Sequence, residues 1–240
     1  MNLTLNRSFF SRISLLLTGL TLLAGCDADV VVGQPGANLY QYNFAQGAQN
    51  WQVGYSDYPV EDAEIYELRH GIKPLPAGFS GQGLMVSGHN RSDDLFMFIK
   101  RRVTGLTPST RYKASLKLTF LSNIGEGCFG IGGSPGESVF IKFGYAEQEP
   151  KQAGYYLNVA KGYQSEDGTH AKVIGNFAAK DANCNASVYK SKTITTSAEQ
   201  SLEFTTNADG SIWFFIGSDS GFEGLTTIYY RSVELKLTPR

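Results

Sequence analysis

Apolar and polar residues alternate along most of this chain with a period of two, the spacing of a strand with one buried and one wet face. Tyr112, Ala114, Leu116, Leu118 and Phe120 interleave with Lys113, Ser115, Lys117 and Thr119, the clearest such run. Tyr40, Tyr42 and Phe44 alternate with polar neighbours, as do Trp51, Val53 and Tyr55, and Val233, Leu235 and Leu237 alternate with Glu234 and Lys236. Short apolar runs at 84–86 and 95–99 have the length of buried strands. Further strands are expected at 139–145, 155–159, 172–177, 188–194 and 212–216, the last entered through the turn Asn207-Ala208-Asp209-Gly210. The stretch 57–81, broken by Pro59, Pro74 and Pro76, reads as turns. No segment keeps a helical period for three turns, and there is no internal repeat. Many short strands separated by Gly, Pro, Asn and Asp predict an all-β protein, a single-domain β-sandwich of jelly-roll type.

The first 25 residues have a different character. Arg7 and Arg12 precede an apolar run at 13–23 and then small residues, the three-part layout of a secretory signal. The run is shorter than the roughly 20 residues needed to span a bilayer. Three segments are therefore expected: a leader at 1–25, a tether with Gly33, Pro35 and Gly36 at 26–38, and the sandwich at 39–240. Without Arg7 and Arg12, 19 of the 21 basic residues face 22 acidic ones, a net charge of −3. So small a charge, with no basic stripe, argues against nucleic acid as a partner. Two cysteines, Cys128 and Cys184, stand in turn-like surroundings within the domain, and an even pair in an exported chain predicts a disulfide between two loops.

Candidate chemistry is sparse. Gly132-Gly133-Ser134-Pro135-Gly136 spells a hydrolase nucleophile elbow, but a strand follows where that motif needs a helix. His70, His89 and His170 lack the mutual spacing of a zinc site. Glu61, Asp62 and Glu64 do not form the carboxylate pair that glycoside hydrolysis requires. No catalytic residue is assigned. Asp219 and Glu223 stand in a Gly-rich stretch read as a loop, where oxygen ligands could hold a structural calcium. Trp51, Tyr55, Tyr58, Tyr155, Tyr156 and Tyr163 could offer ring faces, with Tyr58 and Tyr163 preferred because turn residues surround them. Asn90, Asp93, Asp94, Glu137, Asp219 and Glu223 are the polar ligand-binding candidates, provided their loops meet at one end of the sandwich.

Two resemblances add to this reading. Leu22-Leu23-Ala24-Gly25-Cys26 resembles a bacterial lipobox, which implies cleavage before Cys26, lipid on its thiol, and anchorage to a membrane on the extracytoplasmic side of the cell envelope. The run Gly105-Leu106-Thr107-Pro108-Ser109-Thr110-Arg111-Tyr112 and the ending Thr227-Ile228-Tyr229-Tyr230-Arg231-Ser232-Val233 resemble jelly-roll carbohydrate-binding modules and galactose-binding-like domains. Where those domains often place a calcium-binding Asp, Arg231 and Ser232 stand instead. The segments 87–98 and 131–138 are similar to those of uncharacterised bacterial lipoproteins. Together these resemblances imply a membrane-anchored, non-catalytic binding domain for a glycan or another envelope component. The alternatives are an assembly lipoprotein that binds a protein partner and a glycan hydrolase or lyase.

Overall fold

The computed structural model describes residues 36–240. The leader at 1–25, the lipidation candidate Cys26 and most of the tether lie outside the described residues. Among the described residues the strands are β1 (Asn38–Asn43), β2 (Gln52–Ser56), β3 (Arg69–Pro74), β4 (Gln82–His89), β5 (Phe96–Val103), β6 (Arg111–Ser122) and β7 (Val139–Ala146). They continue with β8 (Gln152–Ala153), β9 (Tyr156–Leu157), β10 (Ala171–Asn176), β11 (Lys190–Thr195), β12 (Leu202–Thr205), β13 (Ile212–Ser220) and β14 (Leu225–Pro239). One sheet runs β11-β6-β14-β4-β3, with β1 also pairing β14 and β12 also pairing β6; the other runs β10-β7-β13-β5-β2. Strands of the two sheets pair antiparallel and the chain crosses repeatedly between the sheets, giving the jelly-roll sandwich.

Alternation places the core. Leu116, Leu118 and Phe120 of β6 and Val233, Leu235 and Leu237 of β14 share one core with Ile141 and Phe143 of β7 and Ile212, Phe214 and Ile216 of β13. Each such side chain contributes about 1.5–3 kcal/mol by leaving water.

A second, smaller core lies on the outer face of the five-stranded sheet, where period-two reasoning alone would put solvent. Phe96 and Phe98 of β5 and Phe215 of β13 meet Leu157 and Ala171 there. Glycines on neighbouring strands make room for the rings: a Cβ at Gly144 would lie 2.1 Å from the Phe215 ring, and one at Gly217 would lie 2.4 Å from the Phe96 ring. Side chains on both partners cannot share that space, so the rings lie flat across the glycines. The cover over this face is the excursion 147–170 between β7 and β10.

Four elements differ from the sequence expectation. The strand expected at 155–159 shrinks to β9, because the chain folds into a hairpin through Gly154, whose φ is +68°. The strand expected at 212–216 runs on to Ser220, so Asp219 stands in a strand rather than a Gly-rich loop. Its last residues, Ser218, Asp219 and Ser220, are polar yet buried, which hid the continuation from a hydrophobic pattern. β3 and β12 were not expected: β3 is a largely exposed strand at the sheet edge, and β12 has only two apolar positions, Leu202 and Phe204.

Candidate functional site

At the edge of the 147–170 cover, buried charges gather. Lys142 stands on the outer face of β7 opposite Gly217, and Asp219 is two residues further along β13. Asp57 follows β2 directly, Asp94 precedes β5, and Lys161 reaches down from the cover. All five are buried, Lys142 and Asp219 completely.

Lys142 organises the cover. Its Nζ donates to the carbonyl oxygens of Lys161 (3.0 Å), Gly162 (2.9 Å) and Glu166 (3.0 Å) and lies 3.0 Å from Asp219 Oδ2. Four oxygens around one nitrogen call for an ammonium, whose three protons match the three carbonyls. Burial pulls this lysine below its ordinary range, while Asp219 opposes the shift. Lys161 Nζ donates to Asp219 Oδ2 (2.8 Å) and Gly162 O (3.3 Å) and lies 3.5 Å from Asp57 Oδ2. Burial again disfavours the charge, but Asp219 and Asp57 outweigh it and hold Lys161 above its usual range. Lys161 also sits 5.0 Å over the Phe96 ring. Asp219 thus holds two ammonium groups with a single oxygen of the carboxylate that was expected to suit calcium, while its Oδ1 is buried without a hydrogen-bond partner. Among the described residues no group of three or more His, Cys, Asp or Glu is arranged to hold a metal ion.

Asp94 is the cluster's loose end. Its Oδ1 is buried without a hydrogen-bond partner, and the nearest ammonium, Lys161 Nζ, is 4.0 Å away. Burial first, then the charges of Asp219 and Asp57, push its carboxyl up to about 7 against the pull of Lys161. With Asp57 and Asp219 ionised against two ammonium groups, the cluster is neutral when Asp94 is protonated and carries one negative charge when it is not.

Because the folded carboxyl titrates above its unfolded value of about 3.9, the native state binds the extra proton between pH 4 and 7. The stability it contributes is full below pH 4 and is lost as pH rises through 7. Asp94→Asn is therefore expected to flatten the fall in stability between pH 5 and 8 and to be more stable than the parent at pH 8 by on the order of 2 kcal/mol. Urea titrations at several pH values check this; an unchanged slope contradicts it.

Three of the five, Asp57, Asp94 and Lys161, reach a pocket of about 240 Å³ that is also lined by Leu157, Val159, Gly162, Tyr156 and Tyr163. Two of its rim residues are large aromatics facing water: Tyr156 is 64 % exposed and Tyr163 is 50 % exposed. A larger groove of about 460 Å³ crosses β1, β6 and β14 on the other sheet. It has neither an exposed ring nor a buried charge, and its Gln41 and Glu234 satisfy each other at 3.0 Å.

The structure brings Asp94, Asp219, Tyr156 and Tyr163 together from the candidates read in the sequence. Asp93 is close by, since Gln164 Nε2, next to Tyr163, donates to its carbonyl at 2.6 Å. Asn90 is a buried staple: its Nδ2 donates to Ser220 O and Phe222 O, and its Oδ1 accepts from the amides of Ser92 and Leu95. Tyr58 packs on Tyr66 with ring centroids 5.1 Å apart and is 8 % exposed. Glu137 accepts from Gly127 N and Ser134 Oγ, Glu223 donates its amide to Ile131 O, and neither lines the pocket. Lys142, Lys161 and Asp57 escaped the sequence reading. A lysine in the middle of the apolar run Phe140-Ile141-Lys142-Phe143 was the available signal.

No protein-family model matches the chain, and no characterised protein matches it in sequence. Among solved structures, it is similar to the mannan-recognising carbohydrate-binding module TmCBM27, with 11% identity and a TM-score of 0.40, covering 83% of this chain and 97% of that one. The CBM22-1 xylan-binding domain from Paenibacillus barcinonensis Xyn10C gives 9% identity and a TM-score of 0.37, over 90% and 97% of the two chains. The enzymatically active domain of Bacteriophage CBA120 tailspike protein 4 gives 8% and 0.34 over 85% of this chain, which spans only 21% of that one. At such scores the likeness carries no functional inference.

Proposed function

We propose that this domain is a non-catalytic glycan-binding module whose sugar site is the pocket between Tyr156 and Tyr163. The observation that carries the reading is the pairing of two solvent-facing tyrosine rings with a floor of buried charge. A sugar ring offers C–H faces that stack on aromatics and hydroxyls that need polar partners, and this pocket supplies both. Its volume falls below the ~300–1,000 Å³ of sites that enclose drug-sized ligands. It suits one ring of a ligand whose remainder lies outside.

A binding role is favoured over hydrolysis because the carboxylates of the cluster, Asp57, Asp94 and Asp219, are all buried and are paired with Lys161 or with each other. The test is titration of the detergent-solubilised chain with a panel of oligosaccharides of differing composition. Saturable binding to at least one is expected, and a null across the panel removes the reading.

We further infer that the domain is displayed on the extracytoplasmic side of a bacterial membrane through lipid on Cys26. The support is the Leu22–Cys26 motif, together with a Cys128–Cys184 disulfide of the kind kept in oxidising compartments. Cys26→Ala is expected to abolish incorporation of labelled fatty acid; label retained in that variant contradicts the anchor.

A further inference from the structure

The outward face of the seven-stranded sheet carries a charge that hydropathy and local sequence do not announce. Residues directly opposite each other in an antiparallel pair project to the same side. Leu84, Val86, Leu116, Leu118, Val233 and Leu235 enter the core, so the alternate positions of their strands and of their neighbours face out. Six of the regularly paired outward positions are basic: Arg69 and Lys73 on β3, Arg111, Lys113 and Lys117 on β6, and Lys236 on β14. Two are acidic, Glu203 on β12 and Glu234 on β14. Beyond residue 25 the rest of the chain has the opposite balance, 13 basic residues against 20 acidic ones. Folding therefore gathers positive charge from distant segments onto one side of an acidic protein.

Most of that charge is unspent. Arg111 donates to Glu203, and Glu234 accepts from Gln41 Nε2 at 3.0 Å. Arg69, Lys73, Lys117 and Lys236 are in no ion pair among the described residues. At the rim, Glu67 lies 3.8 Å from Arg91, and Glu199 acts on Lys113. Two hollows open on this face, and each presents one of the unpaired cations: the groove of about 460 Å³ holds Lys117, and another of about 230 Å³ holds Arg69 beside Leu225 and Tyr229. Leu225 is 54 % exposed.

The chain enters the sheet at the same place. β1 starts at Asn38, paired with Leu237, and its Leu39 pairs with Lys236. Cys26 lies twelve residues earlier, at most about 40 Å of chain, whereas the 15 residues of β14 alone extend about 50 Å. Resting on the Cys26 anchor proposed above, we propose that this sheet face lies on the bilayer that holds the anchor and pairs with acidic phospholipid headgroups. Attraction of Lys and Arg to such a surface acts only within a screening length, and a tether this short holds the face near it. Tyr229 and Leu225 suit the boundary between headgroups and acyl chains. The sugar pocket opens on the outer side of the other sheet, so this orientation turns Tyr156 and Tyr163 away from the membrane.

The test is a lysine footprint of the full chain on vesicles of phosphatidylcholine alone or mixed with an equal part of phosphatidylglycerol. A water-soluble acylating reagent labels the lysines and mass spectrometry reads the rate at each. On acidic vesicles Lys73, Lys113, Lys117 and Lys236 are expected to react about threefold or more slowly than on neutral ones, while exposed Lys151 and Lys180 react equally on both. In 1 M salt, where the screening length falls to about 3 Å, the difference should vanish. Lys117→Glu with Lys236→Glu should remove the protection of Lys73 and Lys113. Equal labelling of the four on both vesicles, or equal protection of Lys151, overturns the proposal. So does equal protection by soluble polygalacturonate, which would make the face a polysaccharide site. The anchor and the face fail separately. A lipidated chain without protection keeps the anchor and sinks the face; a chain without lipid that binds only acidic vesicles, with the same four lysines protected, keeps the face and sinks the anchor.

Discussion

Lys142→Ala is expected to cost roughly 3–5 kcal/mol of stability, the range for removing one partner of a buried ion pair. Asp219, fully buried, would keep only Lys161, and the carbonyls of Lys161, Gly162 and Glu166 would lose their common donor. In a chain of this size, that corresponds to a fall in Tm on the order of 10 °C. The damage should be local first. The turn bonds Glu166 N to Tyr163 O and Gly168 N to Ala171 O hold the part of the cover that Lys142 pins down. Amide exchange in the 161–170 stretch is therefore expected to accelerate more than exchange in β6 and β14. Lys142→Met, which keeps the length without the charge, should show most of the same loss. A melting point within about 2 °C of the parent for both variants would mean that the lysine does not organise the cover.

The second large effect concerns the disulfide. Cys128 and Cys184 are bonded, with Cα atoms 5.3 Å apart and a separation of 56 positions in sequence. Closing a loop of that length removes unfolded-state entropy worth on the order of 4 kcal/mol. The native loops carry their own ties: Gly125 N donates to Asn183 O, Ala179 N to Ile124 O, and Phe177 N to Gly136 O. The folded shape should therefore survive reduction while its stability does not. Cys128→Ser with Cys184→Ser, or the parent in strong reductant, is expected to lose about 4 kcal/mol in urea titration. Thiol counting on unfolded, unreduced protein should find neither cysteine free; two free thiols from the domain would refute the bond.

The sandwich was legible in the sequence because its inner faces obey one rule. Over most of β6, and on each side of the irregularity near Arg231 in β14, every second residue enters a single core, so Leu116, Leu118, Val233 and Leu235 announced their strands. The candidate site was only half legible, because it lies on a face that breaks that rule. The outer side of the five-stranded sheet is buried under the 147–170 excursion, so β5 and β13 are buried on both faces and their patterns blur into continuous runs. Lys142 and Asp219 are polar and buried because they satisfy each other and the cover's backbone. Hydropathy carries no signal for a contact between residues 77 positions apart, whereas it does for an alternating strand. Tyr163 was found because turn residues flank it, and Tyr58 has the same flanks but packs into the core. Local context sees a turn; only the tertiary fold decides which side of the turn meets water.

The most direct test of the glycan site is a binding comparison between the parent and Tyr156→Ala/Tyr163→Ala, made with the tightest saccharide found in the oligosaccharide panel. Both rings are exposed, so their removal should leave Tm within about 2 °C of the parent. Stacking on two such faces predicts a loss of affinity of about 100-fold, or roughly 2–3 kcal/mol. A double variant that folds like the parent and binds the same sugar with unchanged affinity would contradict the assignment of this pocket.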